Sequence, residues 1–455
     1  MVGATKELAQ FAFRLRYEDL PKNVIERTKI SILDQLGIQL ACSSSLPWSK
    51  QIYKTVKELG GKQESTIVYY GDKTTAENAA FVNSAFNHGH ELDDTHFPIP
   101  THPGSVIIPA ALAMGEKEKV SGKVLILAIV LGHEMMLRVG LGVARSLLWR
   151  GHHTPPAIGP FGAAVAVGKI LQFDENQLTN VLGVAGSFSG GLLEYTRTGS
   201  SVKRIHSAIP AQAGIRAALL VRNGITGPDS VIEGEKGFCK VFSDEYCIER
   251  ITEDLGKKYC IMDVSIKRFD CCHFIHSPIE ATQFLLKEHH INPDDITKII
   301  VKTSKQGKVH CGVIVEPRDV LGAQFSFAYS LAQTVLRGGN GFKDYKEEDL
   351  KAPDLIEFAR RVEVEVDEEF EKLYPEVFGG EVEIWLKNGE KYSKRVPYQK
   401  GHPKNPLSMD EIKNKFKGLA NLVLTQDQTE KIISLVEGLE QINDVSQIFP
   451  YLVKK

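Results

Sequence analysis

Apolar residues recur three or four positions apart between residues 5 and 60. Ile25, Ile32, Leu36 and Leu40, with Thr28, fall on one helical face, and Pro21 sits where a first turn would begin. The pattern continues to about residue 235 in Ala- and Gly-rich stretches such as 162–168, whose small side chains let helices approach closely. Gly224-Ile-Thr-Gly-Pro228 and Glu233-Gly-Glu-Lys-Gly237 supply the turns that close this helical part. From about 264 the period changes. Residues 296–302, 362–366 and 382–386 alternate or cluster β-branched side chains, and Asn388-Gly389 after the last run signals a hairpin. Helical stretches at 278–287 and 323–336 lie among them, which predicts an α+β unit of about 140 residues ending near Gly401. Ser408 and Glu411 then have the spacing of a capping box, and 408–450 reads as helix returning to the first part. The predicted fold is mainly α with an α+β part.

Composition narrows the class without naming a reaction. Of 455 residues, 42% are apolar and 25% charged, the balance of a globular protein, and the net charge of −2 gives no reason to expect nucleic acid or an anionic membrane as partner. Seven cysteines are scattered with no C-x-x-C pair, so neither a zinc ribbon nor a cubane iron–sulfur site is predicted. No G-x-G-x-x-G after a strand and no phosphate loop occurs, which argues against nucleotide cofactors. The N-terminus has interspersed acids and lacks the apolar core of a secretory signal, and the longest apolar run, 124–131, is far short of the ~18 residues that span a bilayer. A cytoplasmic protein is expected.

The chemistry concentrates in 83–112. This stretch carries His88, His90, Glu91, Asp93, Asp94, Thr95, His96 and His102 in a Gly- and Pro-rich loop between two apolar helices. His88-Gly-His90 before Asp93-Asp94 superficially resembles the ligand set of metallo-β-lactamase-like hydrolases, but helix-forming residues precede it and the spacing differs. A polar structural loop accounts for the same residues. Arg197, Lys203, Arg204 and His206 form a basic cluster between Gly-rich helices, suited to clamping carboxylates or equally to a solvated helix end. Ser200-x-x-Lys203 matches a serine-nucleophile pair, but its Lys-Thr-Gly partner motif is absent. The stretch from Lys267 to His276 sits where the helical part gives way to the α+β part, and clefts form at such junctions.

Five motifs taken together resemble the MmgE/PrpD family of 2-methylcitrate dehydratases, cis-aconitate decarboxylases and iminodisuccinate epimerases. In chain order they are Asp93-Asp94-Thr95 with His102-Pro103-Gly104; His153-Thr-Pro-Pro156 with Gly159-Pro-Phe-Gly-Ala163; Lys203 with His206; Gly224-x-Thr-Gly-Pro228 with Glu233-Gly234; and Gly401-x-Pro403-x-Asn405-Pro406-Leu407. The resemblance implies a large all-helical domain built from both chain ends, 1–263 and 403–455, with an inserted smaller α+β lid domain, 264–402. It implies homodimers that need no iron–sulfur cluster and act on small polycarboxylates at the interdomain cleft; no cofactor and no metal is expected. By the same resemblance Thr95, Lys203 and Lys267 match substrate-binding positions, His102 and His153 match the family's histidines, and Tyr329 matches the lid tyrosine. His102 and His153 are the acid–base candidates, Tyr329 could donate to a leaving hydroxyl, Glu91 or Asp93 would orient a histidine or take the proton itself, and His276, at the junction of the two parts, is a further substrate-binding candidate. Glu91 stands where the decarboxylase pattern has Asp, and the span from Thr95 to His102 is one residue longer.

The expected activity is therefore a cofactor-independent lyase on a di- or tricarboxylic acid, first of all a 2-methylcitrate/citrate-type dehydratase of propionate catabolism. A cis-aconitate-type decarboxylase and an epimerase are the alternatives within the family, and a metal-dependent hydrolase using the His/Asp loop is a more distant one. Removing a proton next to a carboxylate builds charge on an already anionic group, which fixed cations in a dry site stabilise. Lys203 and Lys267 are expected to supply those cations.

Overall fold

The computed structural model describes residues 3–198 and 200–455. The chain divides into two compact units, one formed by residues 1–264 with 408–455 and the other by 265–407.

The first unit is helical. Its framework is α1 (Lys22–Ser45), α2 (Ala76–Asn87), α3 (Pro103–Glu118), α4 (Gly122–Trp149), α5 (Thr154–Ile170) and α6 (Ala208–Arg222). α5 is the hub, packed by α3, α4 and α6, and every one of its residues except Lys169 is buried. That explains its lack of a polar stripe: a helix covered on all sides has no face to give to water. Its crossing with α4 is close because of glycine. A Cβ on Gly162 would lie 2.5 Å from the carbonyl oxygen of Gly132, and one on Gly132 would lie 2.4 Å from Ile107 Cγ2. The small residues noted in the sequence thus set a helix-to-helix distance. α4 itself is long and apolar enough to cross a membrane, which the short run at 124–131 did not suggest; 89% of its apolar window is buried inside the protein. The helix Met409–Ala420 packs along α1, so the C-terminal segment completes this core.

The second unit is a four-stranded sheet with helices. Its elements are α7 (His273–Glu288), β1 (Ile296–Thr303), α8 (Lys305–Cys311), α9 (Phe327–Arg337), β2 (Val362–Val366), β3 (Gly380–Leu386) and β4 (Lys391–Val396). The strand order is β2-β1-β3-β4, with β1 parallel to β2 and antiparallel to β3, and β3 antiparallel to β4. The β3–β4 hairpin turns at Asn388-Gly389, where Gly389 takes φ +88°, a backbone angle other residues adopt only with strain. The helix expected over 323–336 is broken. Ser326 accepts the N–H of Tyr329 with its side chain at 3.0 Å and so restarts the chain as α9. α7 begins earlier than expected, at His273, because Pro278 is carried inside the helix rather than opening it.

Candidate active site

The loop between α2 and α3 is pinned from both sides. α3 opens on Pro103, whose missing N–H costs nothing in the first turn. Both carboxylate oxygens of Asp94 accept the next N–H, that of Gly104, at 3.1 and 3.0 Å. A Cβ at Gly104 would sit 2.6 Å from Asp94 Oδ2, so glycine is what admits the carboxylate there. Lys415, on the helix Met409–Ala420, reaches Asp34 at 2.6 Å and the Leu92 carbonyl at 3.4 Å, holding the loop between Glu91 and Asp93. The result is a loop of polar residues almost without water: His88 is 0%, Asp93 1% and Glu91 3% exposed.

Within it, His88 Nδ1 lies 2.7 Å from Asp93 Oδ2, an oxygen that also accepts from Ser105 Oγ at 2.8 Å. His102 Nδ1 is 2.7 Å from the Asp94 carbonyl oxygen and 3.5 Å from Asp93 Oδ1. A carbonyl only accepts, so Nδ1 of His102 carries a proton and, in the neutral ring, the lone pair is on Nε2. Lys203 ion-pairs with Glu91, and Arg204 stands 3.6 Å from the same Glu91 oxygen while its guanidinium lies over the Trp48 ring at 4.9 Å. The side chain of Arg197, the remaining basic residue of that cluster, lies outside the described ones.

His153 joins from the start of α5. Its Nδ1 is 2.8 Å from His206 Nδ1, its Nε2 is 3.3 Å from Tyr195 Oη, and its ring centroid is 6.2 Å from that of His88. His88 and His102 are 5.1 Å apart, centroid to centroid. Five expected residues, Glu91, Asp93, His102, His153 and Lys203, therefore share one buried site in the helical unit. Thr95 is in the same loop, buried, with no hydrogen-bond partner for its hydroxyl among the described residues. His88 and His206, which the sequence marked only as a possible metal ligand and as a member of the basic cluster, also belong to this site, and Tyr195 carried no sequence signal at all.

Burial sets the protonation. It pushes His88 down to about 4 against the pull of Asp93, and His206 to about 4 with help from Lys203. It drives His153 well below the usual range, and the nearby His88 and His206 act in the same direction. Lys203 is lowered by burial against the opposing charge of Glu91. Asp94 is raised well above the carboxylate range by burial and then by Asp93 and Asp34. At neutral pH His88, His153 and His206 are thus neutral imidazoles beside a paired ammonium.

The second unit carries its own group. Lys267 is 2% exposed, an unusual degree of burial for a lysine. His276 Nε2 is 3.3 Å from the Cys271 carbonyl, and its ring stacks on His273 at 4.5 Å. Tyr329 is fully buried at the start of α9, its hydroxyl without a partner among the described residues, and burial raises it to about 12. A cleft of about 510 Å³ elsewhere in this unit is lined by residues between Val313 and Gly322, none of them a candidate site residue.

His88, Asp93 and His102 present ligand atoms within 4.8 Å of one another, a set able to hold a metal ion. The neighbouring Lys203 opposes positive charge on His88, and a divalent cation placed there would meet the same repulsion.

The chain matches the MmgE/PrpD N-terminal domain over residues 6–250 and the MmgE/PrpD C-terminal domain over 269–441. It is 30% identical to a cis-aconitate decarboxylase of Aspergillus terreus, an alignment covering 99% of this chain and 96% of that one. It is 27% identical to the cis-aconitate decarboxylase of Homo sapiens, over 97% of this chain and 93% of the other. Domain models that between them span most of the sequence, and relatives aligned from end to end, lead to one conclusion: the chain belongs to the MmgE/PrpD family.

Proposed function

We propose that the protein is a lyase acting on a small di- or tricarboxylic acid, of the cis-aconitate decarboxylase type. The observation that carries the proposal is the Lys203–Glu91 pair: a buried ammonium already holding a carboxylate, with Arg204 beside it and three neutral imidazoles around it. A substrate carboxylate that exchanges with Glu91 inherits those charges in a dry setting, where they act most strongly on developing negative charge. Decarboxylation breaks the bond to one carboxyl carbon, releases carbon dioxide and leaves an electron pair that must be protonated. Histidine N–H groups are proton donors in this site beside the Lys203 ammonium and the Tyr195 hydroxyl, and Thr95 is a further hydrogen-bond partner for substrate. The names of the relatives favour this reaction over the dehydration expected from sequence.

Dehydration has one observation on its side. His102, with Nδ1 committed to the Asp94 carbonyl, presents its lone pair at Nε2, as a base that abstracts a proton next to a carboxylate requires. In both readings Asp93 orients His88, and Lys267, His276 and Tyr329 are assigned to substrate binding and proton transfer. The deciding experiment incubates the enzyme with cis-aconitate, citrate, 2-methylcitrate and iminodisuccinate and follows each by NMR. Loss of cis-aconitate to a product one carbon shorter supports decarboxylation; an unsaturated acid formed from citrate or 2-methylcitrate replaces it with dehydration. No turnover of any of the four refutes the lyase. A homodimer and a cytoplasmic location belong to the same proposal, the first checked by light scattering and the second by cell fractionation.

A further inference from the structure

His153 is engaged through both of its ring nitrogens. Its Nδ1 faces His206 Nδ1 at 2.8 Å and its Nε2 faces Tyr195 Oη at 3.3 Å. The three rings pack against one another, with centroids 5.5 Å (Tyr195–His153), 5.0 Å (His153–His206) and 5.3 Å (Tyr195–His206) apart. Backbone contacts bring Tyr195 there. The N–H of Leu193 donates to the Gly151 carbonyl at 2.8 Å and that of His153 to the Gly191 carbonyl at 3.2 Å, so residues 190–193 run beside the start of α5. Gly191, at φ +87°, permits the approach, because a Cβ there would drive into the Pro156 ring. His206 is fixed from its own side, its N–H donating to the Lys203 carbonyl at 3.0 Å. The row of three therefore ends inside the site beside Lys203. Its other end, Tyr195, is half-buried between two exposed residues, Glu194 and Thr196.

We propose that Tyr195 and His206 are positioning residues for the lyase reaction, holding His153 as the middle of a proton relay that runs from the half-buried Tyr195 to His206 beside Lys203. The inference rests on the lyase reading above and changes the part His153 plays in it. A ring bonded through both nitrogens exchanges protons with its two partners, so His153 passes a proton along the row instead of meeting the substrate itself.

Two facing imidazole nitrogens need one proton between them, which gives the row two polarities. In the first, Tyr195 Oη–H donates to His153 Nε2, His153 Nδ1–H donates to His206 Nδ1, and His206 carries its proton on Nε2. In the second, His206 Nδ1–H donates to His153 Nδ1 and His153 Nε2–H donates to Tyr195 Oη. Passing from the first to the second moves the Oη proton to Nε2 and the Nδ1 proton of His153 to His206. The Nε2 proton of His206 leaves for the reacting site, and Tyr195 takes a proton from outside. One proton enters, one leaves, and all three groups are neutral before and after. Decarboxylation consumes one proton per turnover, when hydrogen replaces the lost carboxylate, so a dry site needs such a supply. Run backwards, the row carries away a proton taken from a substrate. Burial supports the neutral states: it holds both imidazoles below their ordinary range and raises the Tyr195 hydroxyl, with Glu91 adding to the latter.

The test labels the histidine rings of the full-length protein with a nitrogen isotope and reads their tautomers by NMR at neutral pH without substrate, His153→Gln and His206→Asn assigning the signals by their loss. In wild type, one of the two Nδ1 atoms should carry a proton and the other none. Tyr195→Phe removes a single oxygen and keeps the ring packing. It should shift the His153 tautomer populations and, on whichever polycarboxylate the enzyme turns over, lower kcat roughly 10²-fold at an unchanged KM. His206→Asn keeps a hydrogen-bonding atom near the place of Nδ1 and has none at Nε2, so kcat should fall in the same way; Tyr195→Phe alone decides if that variant does not fold. Two Nε2–H rings in wild type, an unaltered His153 signal in Tyr195→Phe, or a wild-type kcat in either folded variant overturns the relay. A raised KM with kcat unchanged in Tyr195→Phe makes Tyr195 a substrate contact and overturns it as well. Absence of turnover by wild type fails the lyase reading instead, and the tautomers, read without substrate, still decide the row.

Discussion

Replacing His133 with methionine isolates one buried imidazole from the rest of the protein's acid response. His133 is on α4, 0% exposed, with Nδ1 2.8 Å from the Ile129 carbonyl and Nε2 without a partner among the described residues. Burial, with a smaller contribution from Arg27, lowers it to about 4. Unfolded, it titrates near the ordinary histidine value of ~6.5. Between those values the unfolded chain binds a proton that the folded one refuses, so stability rises with pH and is lost as pH falls from ~6.5 towards about 4. At about pH 5 the loss from this one group is roughly 2 kcal/mol, and at about pH 8 it is close to zero. Buried carboxylates such as Asp94, raised in the fold, act with the opposite sign, so the total acid response of the protein does not test the argument. The difference between wild type and His133→Met does. Urea unfolding at both pH values should show the gap between the two proteins shift by about 2 kcal/mol in favour of the variant at the lower pH. A gap that stays constant refutes the placement of a neutral, water-free imidazole at this position.

His102→Gln should lower kcat by about 10²–10⁴-fold with the fold intact by circular dichroism, and a rate near wild type removes His102 from the chemistry. Lys203→Met alone takes from the buried Glu91 its nearer cation and leaves Arg204 at 3.6 Å, so its cost is up to roughly 3–5 kcal/mol. Lys203→Met with Glu91→Gln avoids that and should raise KM; an unchanged KM and kcat would show that substrate does not meet Lys203. Gly104→Ala drives a methyl group into Asp94 and should destabilise by roughly 1–3 kcal/mol and lower activity, read by thermal melting and turnover. Lys415→Met leaves Asp34 buried without its cation and should destabilise by roughly 3–5 kcal/mol, with Lys415→Arg recovering most of it; a melt unchanged in Lys415→Met sinks the clamp.

Local order was legible where neighbours in sequence enforce it. The 3.6-residue period marks α1, the capping box at Ser408–Glu411 starts the helix Met409–Ala420, and the Asn388-Gly389 turn joins β3 to β4, because each depends on residues only a few positions apart. The α9 restart was hidden because a serine signals a cap only if its hydroxyl actually reaches the N–H three residues on. The mainly helical class with an α+β part, and the loop around Glu91, Asp93 and His102, likewise followed from period and residue type. What the loop does with those residues did not. That His102 is protonated on Nδ1, that His88, His153 and His206 are neutral, and that Tyr195 joins them depend on side chains far apart in the chain meeting in a place without water. Burial, the largest influence on each of those imidazoles, is a property of the packed structure and of no single stretch of sequence.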